Sequence, residues 1–317
     1  MKSLDQSQLI FWGTADFAVP ILERLFELKK MEIVGVITRP DAPFGRDQRL
    51  TPSPVKIAAE RLGLKVLTPE KLKEPAFAAE IQRLAPEVAL VIAYGRIIPD
   101  ALLAIPPKGT LNVHPSLLPA LRGPSPIAAA ILSGDKETGV TLMLLDSEMD
   151  HGPLIAQTRR PLTGKETITS LSKILSEAAA DLVATALPRY LNNELVPQDQ
   201  EHARATYCPL LSRESGKIDW TKTAVEIERM SRAYAGWPGI WTEWSDGKNR
   251  LRVKLFELEI GARTLAPGAI AADNGRLIIG ASEGVVIAPT LQFEGKKPMS
   301  PNELTRGFPD FYNGRFE

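Results

Sequence analysis

The sequence has little of several residues and motifs from which protein chemistry is often predicted. Its 317 residues include one cysteine, Cys208, which excludes an intrachain disulfide and a cysteine-based zinc site. No apolar run reaches the roughly 20 residues that cross a bilayer, and the polar residues before the first apolar segment lack the pattern of a signal peptide. The sequence therefore predicts a cytoplasmic protein that does not associate with membranes.

The chain also has no net charge. The 38 Lys and Arg residues balance 38 Asp and Glu residues, so any contact with a polyanion must come from local clusters of cations. Hydrophobic residues make up 44% of the chain, which is typical of soluble globular proteins. Because a chain of this length is too long for one typical core, two domains are predicted.

Motifs for the common cofactors are missing as well. The first apolar strand ends at Gly13 with one glycine, whereas the dinucleotide fingerprint needs three, so NAD is not expected. No loop ends in Gly-Lys-Ser or Gly-Lys-Thr, which argues against ATP. His114 and His151 could meet in space, but no set of histidine, cysteine and carboxylate residues has convincing metal-ligand spacing. The sequence predicts a catalyst without metal, NAD or ATP, either cofactor-free or using a bound co-substrate.

Strand-like and helix-like segments alternate over the first 190 residues. This alternation indicates parallel βαβ units, so residues 1–192 are predicted to form an α/β domain with a Rossmann-like, mostly parallel open sheet. The predicted strands are 9–12, 33–37, 66–67, 88–94, 109–114 and 140–145, and the predicted helices include 54–62, 75–84, 125–133 and 166–192.

The remainder of the chain has a different pattern. Residues 193–211 are polar and without periodicity, which is typical of a linker. Residues 212–317 are predicted to form a smaller C-terminal β-barrel domain of the OB-like kind, since short strand-like runs alternate with Gly, Asp and Asn turns. That domain has one helix-like segment, 222–235, and strand-like runs at 251–256, 267–271, 275–280 and 284–287.

Three side chains are candidates for catalysis. Asn112 and His114 are two apart on a predicted strand, so both can point to one face near its carboxyl end, where α/β sheets place their chemistry. His114 is one of three histidines and is suited to proton transfer near neutral pH. Asp150 follows in Asp-His-Gly; Asp146 is an alternative carboxylate, although it closes a strand and is suited to a turn. The pair on the strand could instead be buried polar groups at a sheet edge.

These residues belong to a longer pattern that closely resembles the formyltetrahydrofolate-dependent formyltransferases, nearly end to end. A member that acts on glycinamide ribonucleotide would end near residue 200, whereas this chain continues through a second domain. The signature is Asn112-x-His114-Pro115-Ser116-Leu117-Leu118-Pro119, then Arg122-Gly123, Gly139-Val140-Thr141 and Asp150-x-Gly152. In the second domain the matching segments are Ile218-Asp219-Trp220, Arg232-Ala233-Tyr234, Trp237-Pro238 and Gly295-Lys296-Lys297-Pro298-Met299-Ser300.

The resemblance implies transfer of a formyl group from 10-formyltetrahydrofolate, as co-substrate, to the α-amino group of methionine on initiator methionyl-tRNA. Asn112, His114 and Asp150 match the catalytic trio of the family. Asn112 would donate a hydrogen bond to the developing oxyanion, His114 would donate to the same oxygen or move a proton, and Asp150 would orient the imidazole. The segment Ser116, Leu117, Leu118 and Pro119 would line the folate pocket.

The resemblance also implies contacts with tRNA. In the first domain they fall in a predicted mobile loop, 39–56. In the second domain the candidates come from the spacing of charges, since alternate cations share one face of a predicted strand and two lysines are adjacent. Many members read Gly-Arg-Gly-Lys-Lys-Leu where this chain has Gly45-Arg46-Asp47-Gln48-Arg49-Leu50, so one basic residue becomes Gln48 and Asp47 adds a negative charge. Each of these cations could also be an ordinary solvated charge. The candidates are Arg46, Arg49, Lys56, Arg250, Arg252, Lys296 and Lys297.

Other functions remain open at this point. The same trio could transfer a formyl group to a small amine such as an amino-sugar nucleotide, or could hydrolyse formyltetrahydrofolate without an acceptor. A non-catalytic RNA-binding protein could also retain the fold, although the intact trio argues against it. A monomer is expected.

Overall fold

The structure, a computed structural model, describes residues 6–44 and 47–317. These form two units. The first contains the chain up to Pro126 together with Glu137–Pro161 and Ser172–Cys208, and the second contains Ile127–Lys136, Leu162–Leu171 and Pro209–Glu317. The boundaries expected from composition, 1–192, 193–211 and 212–317, stay a prediction.

A seven-stranded sheet forms the centre of the first unit, in the order β5-β2-β1-β6-β7-β8-β9. Its strands are β1 (Ser7–Gly13), β2 (Met31–Ile37), β5 (Val66–Leu67), β6 (Val88–Ile92), β7 (Thr110–His114), β8 (Glu137–Leu144) and β9 (Leu154–Pro161), and β3 (Ala42–Phe44) pairs separately with β4 (Arg49–Thr51). The helices up to residue 191 are α1 (Val19–Leu28), α2 (Pro54–Arg61), α3 (Pro75–Leu84), α4 (Asp100–Leu103), α5 (Pro126–Ser133) and α6 (Ile168–Leu191).

The predicted mostly parallel open sheet is confirmed. The pairs β1–β2, β1–β6, β2–β5 and β6–β7 are parallel, while β8 runs antiparallel to both β7 and β9. All five residues of β6 are buried, as expected for a strand covered on both faces. β9 was not predicted, because its apolar residues give way to alternating polar ones such as Gln157 and Arg159 after the first few positions.

The order in which successive strands join the sheet reverses between β1 and β6. β1 pairs with β2 on one side and with β6 on the other, so the loops at their carboxyl ends meet at this point. The hydroxyl of Thr14, just after β1, donates to the carbonyl oxygen of Tyr94, just after β6, at 2.9 Å. Ligands of open α/β sheets bind at such an edge, and β7 brings its own carboxyl end to the same edge.

The segment predicted as a mobile loop contains a short hairpin. Ala42 of β3 pairs with Thr51, and Phe44 pairs with Arg49, in antiparallel register. Gly45 and Arg46 lie outside the described residues. The hairpin was missed because three-residue strands are too short to show an apolar alternation.

The second unit contains antiparallel strands, which confirms the predicted class of the C-terminal domain. In the part of the chain that the structure describes, they form two four-stranded sheets, β16-β11-β10-β17 and β12-β15-β14-β13, rather than one closed barrel. The strands are β10 (Ile240–Ser245), β11 (Arg250–Phe256), β12 (Glu259–Gly261), β13 (Ile270–Asp273), β14 (Arg276–Gly280), β15 (Val285–Ala288), β16 (Thr290–Phe293) and β17 (Arg315–Phe316).

Two capped helices complete this unit. α7 (Ala224–Ala233) starts at a capping box between Thr223 and Glu226, and α8 (Pro301–Gly307) starts at one between Ser300 and Glu303. Each box satisfies backbone N–H groups that the first helical turn leaves without partners. None of the helices in the described ranges is long and apolar enough to cross a membrane.

Candidate active site

His114 is the last residue of β7, and its buried ring lies between two acceptors. Its Nε2 atom is 2.9 Å from the carbonyl oxygen of Leu121, and its Nδ1 atom is 3.5 Å from Oδ1 of Asp150. Because a carbonyl can only accept, the shorter contact requires a proton on Nε2. In the neutral ring, the lone pair of Nδ1 then faces the carboxylate of Asp150.

Burial determines the charge of this ring. It lowers the pKa of His114 because the imidazolium form loses its hydration, and this effect outweighs the opposing effects of the Asp150 carboxylate and the Leu121 carbonyl. The ring is therefore neutral near pH 7. Proton uptake at Nδ1 would place an N–H toward each of the two acceptors, so the Asp150 carboxylate would stabilise the protonated form of this ring.

Asp150 lies in a tight turn that two glycines make possible. Its φ is 51°, in the left-handed region that aspartate tolerates better than most residues. Its Oδ2 atom accepts a hydrogen bond from the backbone N–H of Gly123 at 2.8 Å. A Cβ on Gly123 would lie 2.3 Å from the carbonyl oxygen of Cys208, and one on Gly152 would lie 2.2 Å from that of Leu144. Both positions require glycine, which gives a physical reason for their place in the sequence signature.

Asn112 lies two residues before His114 on β7, so the two side chains project from the same side of the strand. The strand is fixed between β6 and β8, with Asn112 opposite Val91 and Met143. Its side chain is partly exposed, and among the described residues no protein group forms a hydrogen bond with its amide. Both amide donors are therefore available to a bound molecule.

Asp146, the alternative carboxylate, contacts a different histidine. Nδ1 of His151 lies 2.6 Å from its Oδ2 atom, and the backbone N–H of Glu148 donates to its Oδ1 atom at 3.0 Å. The carboxylate that faces His114 is thus Asp150. Within the described ranges, no group of three or more His, Cys, Asp and Glu residues could hold a metal ion.

A buried arginine connects the Asp150 turn to a later part of the chain. Arg122, 2% exposed, donates to Oε1 of Gln200 from Nη2 at 2.7 Å and from Nε at 3.2 Å. Nη2 also lies 2.8 Å from Nδ1 of His202, so that ring nitrogen accepts and carries no proton. Nε2 of Gln200 donates to the carbonyl oxygens of Asp150 and Gly152 at 2.9 and 2.8 Å. Gln200 therefore fixes the backbone of the turn relative to Arg122.

Sequence reasoning missed the role of Gln200. This residue lies in the polar segment predicted as a linker, where no periodicity marks a buried residue, yet it is 5% exposed. The ring of His202 stacks on that of His151 with centroids 4.0 Å apart. Arg122 was visible in the sequence only as part of the family signature, in the pair Arg122-Gly123.

The segment predicted to line the folate pocket forms the turn after β7. Ser116 and Leu118 are buried, and the Ser116 hydroxyl donates to the carbonyl oxygen of Ala120 at 2.7 Å. Leu117 and Pro119 are partly exposed. These two are the side chains of the segment that remain open to a bound molecule, and folate binding here stays a prediction.

The cations predicted to hold tRNA in the first unit differ in their pairing. Arg46 lies outside the described residues. The side chain of Arg49 is 84% exposed, and its Nε atom is 3.9 Å from a carboxylate oxygen of Asp47. Nζ of Lys56 donates to both carboxylate oxygens of Asp41 at 2.8 and 3.0 Å, a hydrogen-bonded pair that raises the pKa of Lys56. Arg49 is therefore more open to a phosphate than Lys56.

In the second unit, Arg250 is paired with Glu317 and lies 3.8 Å from Glu243. Lys296 and Lys297 are exposed, and no described carboxylate lies within ion-pair distance of either amine. Phosphate contact is thus more accessible to the two lysines than to Arg250.

Arg252 contacts an aromatic ring. Its Cζ atom lies 3.5 Å from the ring centroid of Trp241, while the nearest carboxylate oxygen, on Glu214, is 3.9 Å from Nη2. A guanidinium stacked in this way keeps donors that a carboxylate would otherwise occupy.

The comparisons with known proteins agree with this fold. The family profile described as Formyl transferase matches residues 7–187, and the profile described as Formyl transferase, C-terminal domain, matches residues 210–309. Together with the parallel sheet and the buried histidine–carboxylate pair, these matches define the class as that of the formyl transferases.

Relatives narrow the class further. A protein of a Roseiflexus species named methionyl-tRNA formyltransferase is 44% identical over 307 residues, which cover 95% of this chain and 92% of that protein. The chain belongs to the methionyl-tRNA formyltransferase family and is an enzyme.

Two solved structures share the fold at low identity. HypX from Aquifex aeolicus in complex with tetrahydrofolic acid is 19% identical with a TM-score of 0.64, and the match covers 97% of this chain and 47% of that chain. The N-formyltransferase from Helicobacter canadensis, in complex with folinic acid and dTDP-3-aminofucose, is 20% identical with a TM-score of 0.64, over 89% of this chain and 98% of that chain.

Proposed function

We propose that this enzyme transfers the formyl group of 10-formyltetrahydrofolate to the α-amino group of methionine on initiator methionyl-tRNA. The observation that carries the proposal is the match to a protein named methionyl-tRNA formyltransferase over 95% of the chain, since this match extends through both units. The solved HypX chain that was crystallised with tetrahydrofolic acid has the same fold, which supports a folate co-substrate. The proposed reaction uses no metal, NAD or ATP.

In this reaction the amine nitrogen attacks the formyl carbon, a new C–N bond forms, and the formyl oxygen becomes negatively charged. The amide of Asn112 donates a hydrogen bond to that oxygen. Loss of such a donor typically raises the activation free energy by about 3–4 kcal/mol. The bond between the formyl carbon and N10 of the folate then breaks, and its electron pair returns to N10.

His114 transfers the proton in this proposal. The attacking amine must lose a proton and N10 must gain one. In the neutral ring Nδ1 is the atom that can accept the first proton, and the imidazolium that forms can then supply a proton to N10. The lowered pKa of His114 keeps its ring neutral, while Asp150 at 3.5 Å stabilises the imidazolium intermediate. General acid–base catalysis of this kind contributes a factor of about 10²–10⁴ in rate.

The second unit has the proposed role of holding the tRNA. Its exposed Lys296 and Lys297 support this role because they have no carboxylate partner among the described residues. We propose that residues 212–317 supply most of these contacts, and that the enzyme acts as a monomer in the cytoplasm, where protein synthesis begins.

Formyl transfer to a small amine is the second candidate function. It is favoured by the likeness to the Helicobacter canadensis enzyme, which was crystallised with an amino-sugar nucleotide. The 20% identity of that match, against 44% for the relative named for methionyl-tRNA, makes the tRNA the preferred acceptor.

One assay separates these acceptors. Formyl transfer from 10-formyltetrahydrofolate is measured with initiator methionyl-tRNA, elongator methionyl-tRNA and dTDP-3-aminofucose under the same conditions. We expect selective formylation of the initiator. Transfer to the sugar nucleotide alone would establish the second function instead, and release of formate without any amine would indicate a hydrolase.

A further inference from the structure

The second unit contains a cavity of about 390 Å³ on the outward face of β10, β11 and β16. This volume lies in the range of small-molecule sites. Trp241, Lys254 and Gln292 are cross-strand neighbours at its base, and Trp237 and Glu294 lie in the turns beside it. We call this cavity the Trp237 pocket.

The Trp237 pocket offers planar groups for stacking. Trp237 is 57% exposed, whereas tryptophan is highly buried on average, and this exposed indole lines the cavity. Trp241 is buried, and the Cζ atom of the Arg252 guanidinium stacks 3.5 Å from the centroid of its ring. This stacking holds the planar guanidinium in place at the cavity. Unpaired bases stack on aromatic rings and on arginine planes of this kind.

The pocket is also positively charged. Arg213, Arg252 and Lys254 line it, against the single carboxylate of Glu294. Among the described residues, no carboxylate pairs with Arg213 or Lys254. Nη2 of Arg252 lies 3.9 Å from a carboxylate oxygen of Glu214, and its Nε atom is buried without an acceptor. Two cations without a carboxylate partner, Arg213 and Lys254, lie beside a stacking surface, which matches a nucleotide because it carries a base and a phosphate together.

The occupant must present its base freely. In a duplex the faces of the bases are covered by their neighbours in the stack, so a paired nucleotide would first have to be unstacked and unpaired, at a cost of a few kcal/mol. A single-stranded segment presents base and phosphate at no such cost.

We propose that the Trp237 pocket binds one unpaired nucleotide of RNA, with its base stacked at Trp237 and the Arg252 guanidinium and its phosphate at Arg213 and Lys254. The proposal deepens the proposed function and rests on it for the identity of the RNA, because it assigns a contact by which the second unit holds an unpaired part of the tRNA. The spacing of cations in the sequence predicted Arg252 as one charge on a strand face, whereas the pocket places it beside two indoles and two further cations.

The experiment measures RNA binding to the full-length protein without any formyl transfer. Fluorescence anisotropy is recorded with labelled single-stranded hexauridylate and with a labelled RNA duplex. We expect Trp237→Ala and Arg252→Gln each to weaken hexauridylate binding about 10-fold, since stacking contributes about 1–3 kcal/mol per base. Trp237→Phe keeps a stacking ring and is expected to remain within about 3-fold of the unaltered chain.

Arg263→Ala is the matched control for loss of charge. Arg263 is an exposed arginine of the same unit that does not line the pocket and has no carboxylate partner among the described residues. Its substitution should change hexauridylate affinity far less than Arg252→Gln, and thermal unfolding shows whether each variant is folded.

Three results would overturn the proposal: no binding of hexauridylate by the unaltered protein, equal losses for Arg263→Ala and Arg252→Gln, or duplex binding as tight and as dependent on Trp237. Because the measurement requires no folate, an enzyme that fails to formylate tRNA could still bind hexauridylate. The two proposals therefore fail separately.

Discussion

His114 has two acceptors and, when neutral, one proton to donate. The contact with the Leu121 carbonyl is the shorter one, so the proton belongs on Nε2 and the bare nitrogen faces Asp150. Burial and the carboxylate act in opposite directions on the pKa of this histidine, and burial has the larger effect. A substitution at position 150 separates the two effects.

We predict that Asp150→Asn lowers the pKa of His114 further, because the carboxylate that raises it is lost. The acid limb of the pH profile for formyl transfer should then move to lower pH, since His114 must be neutral to act as a base. At neutral pH, kcat should fall by about 10²–10⁴-fold because the imidazolium is no longer stabilised. The measurement is the pH dependence of kcat and kcat/KM.

Asp146→Asn is the control for this prediction. Asp146 lies four residues earlier and pairs with His151, so its loss should leave the acid limb in place and change kcat only a few-fold. The role given to Asp150 would be wrong if the two variants had the same pH profile.

At the scale of elements, the residues of the site are held by short strands and the turns that follow them. β7 ends at His114, where Pro115 removes a backbone donor, and the chain then turns so that the Leu121 carbonyl returns to the histidine ring. α2 begins where Ser53 accepts a hydrogen bond from the backbone N–H of Lys56 at 3.0 Å. In the hairpin of β3 and β4, Arg49 is exposed at the first position of β4.

This hairpin leads to a prediction about tRNA affinity. Arg49→Ala should raise the KM for tRNA several-fold and reduce the slope of log K against log salt by about 1, since one phosphate contact is lost. The KM for the folate should not change. Lys56→Ala should have the smaller effect, because Asp41 already pairs with the lysine. A larger effect of Lys56→Ala on the salt slope would contradict this ranking.

For the whole molecule, the sequence predicted the open parallel sheet and the antiparallel second unit, because long apolar strands and turn-rich runs carry strong patterns. It did not predict β9, whose apolar residues give way to polar ones after the first few positions, or the hairpin of β3 and β4, whose strands are three residues long. The order of apolar and polar residues in a segment indicates how that segment is buried. Neither element buries enough of its own surface to show such an order.

Within the site, the sequence predicted which carboxylate faces His114 but not what holds that carboxylate. The motif Asp150-x-Gly152 is local and therefore visible in the sequence. The contacts of Gln200 join residues far apart in the chain, and a buried amide in a polar segment leaves no trace in periodicity or composition.

The stability of the folded enzyme should decrease at acidic pH in a way that depends on His114. Because the pKa of His114 is lower in the folded state than in the unfolded state, the unfolded chain binds more protons as the pH falls below about 6.5. This loss continues until the pH falls through the folded-state pKa, at up to about 1.4 kcal/mol per pH unit. Thermal unfolding of the wild type and of His114→Gln between neutral and mildly acidic pH is the measurement. Parallel curves for the two proteins would contradict a depressed pKa.

The hydrogen bonds of Gln200 also have a consequence for the order in which the enzyme is assembled. Asn112, His114 and Asp150 have all been synthesised once the ribosome has passed codon 150, but the amide that fixes the Asp150 turn is added later. A nascent chain at that stage holds the three side chains proposed for catalysis but lacks the Gln200 hydrogen bonds to the Asp150 turn. Deletion of the residues after 192 would likewise keep the three proposed residues and remove these hydrogen bonds. The turn therefore gains this support only after the last segment of the first unit has been added.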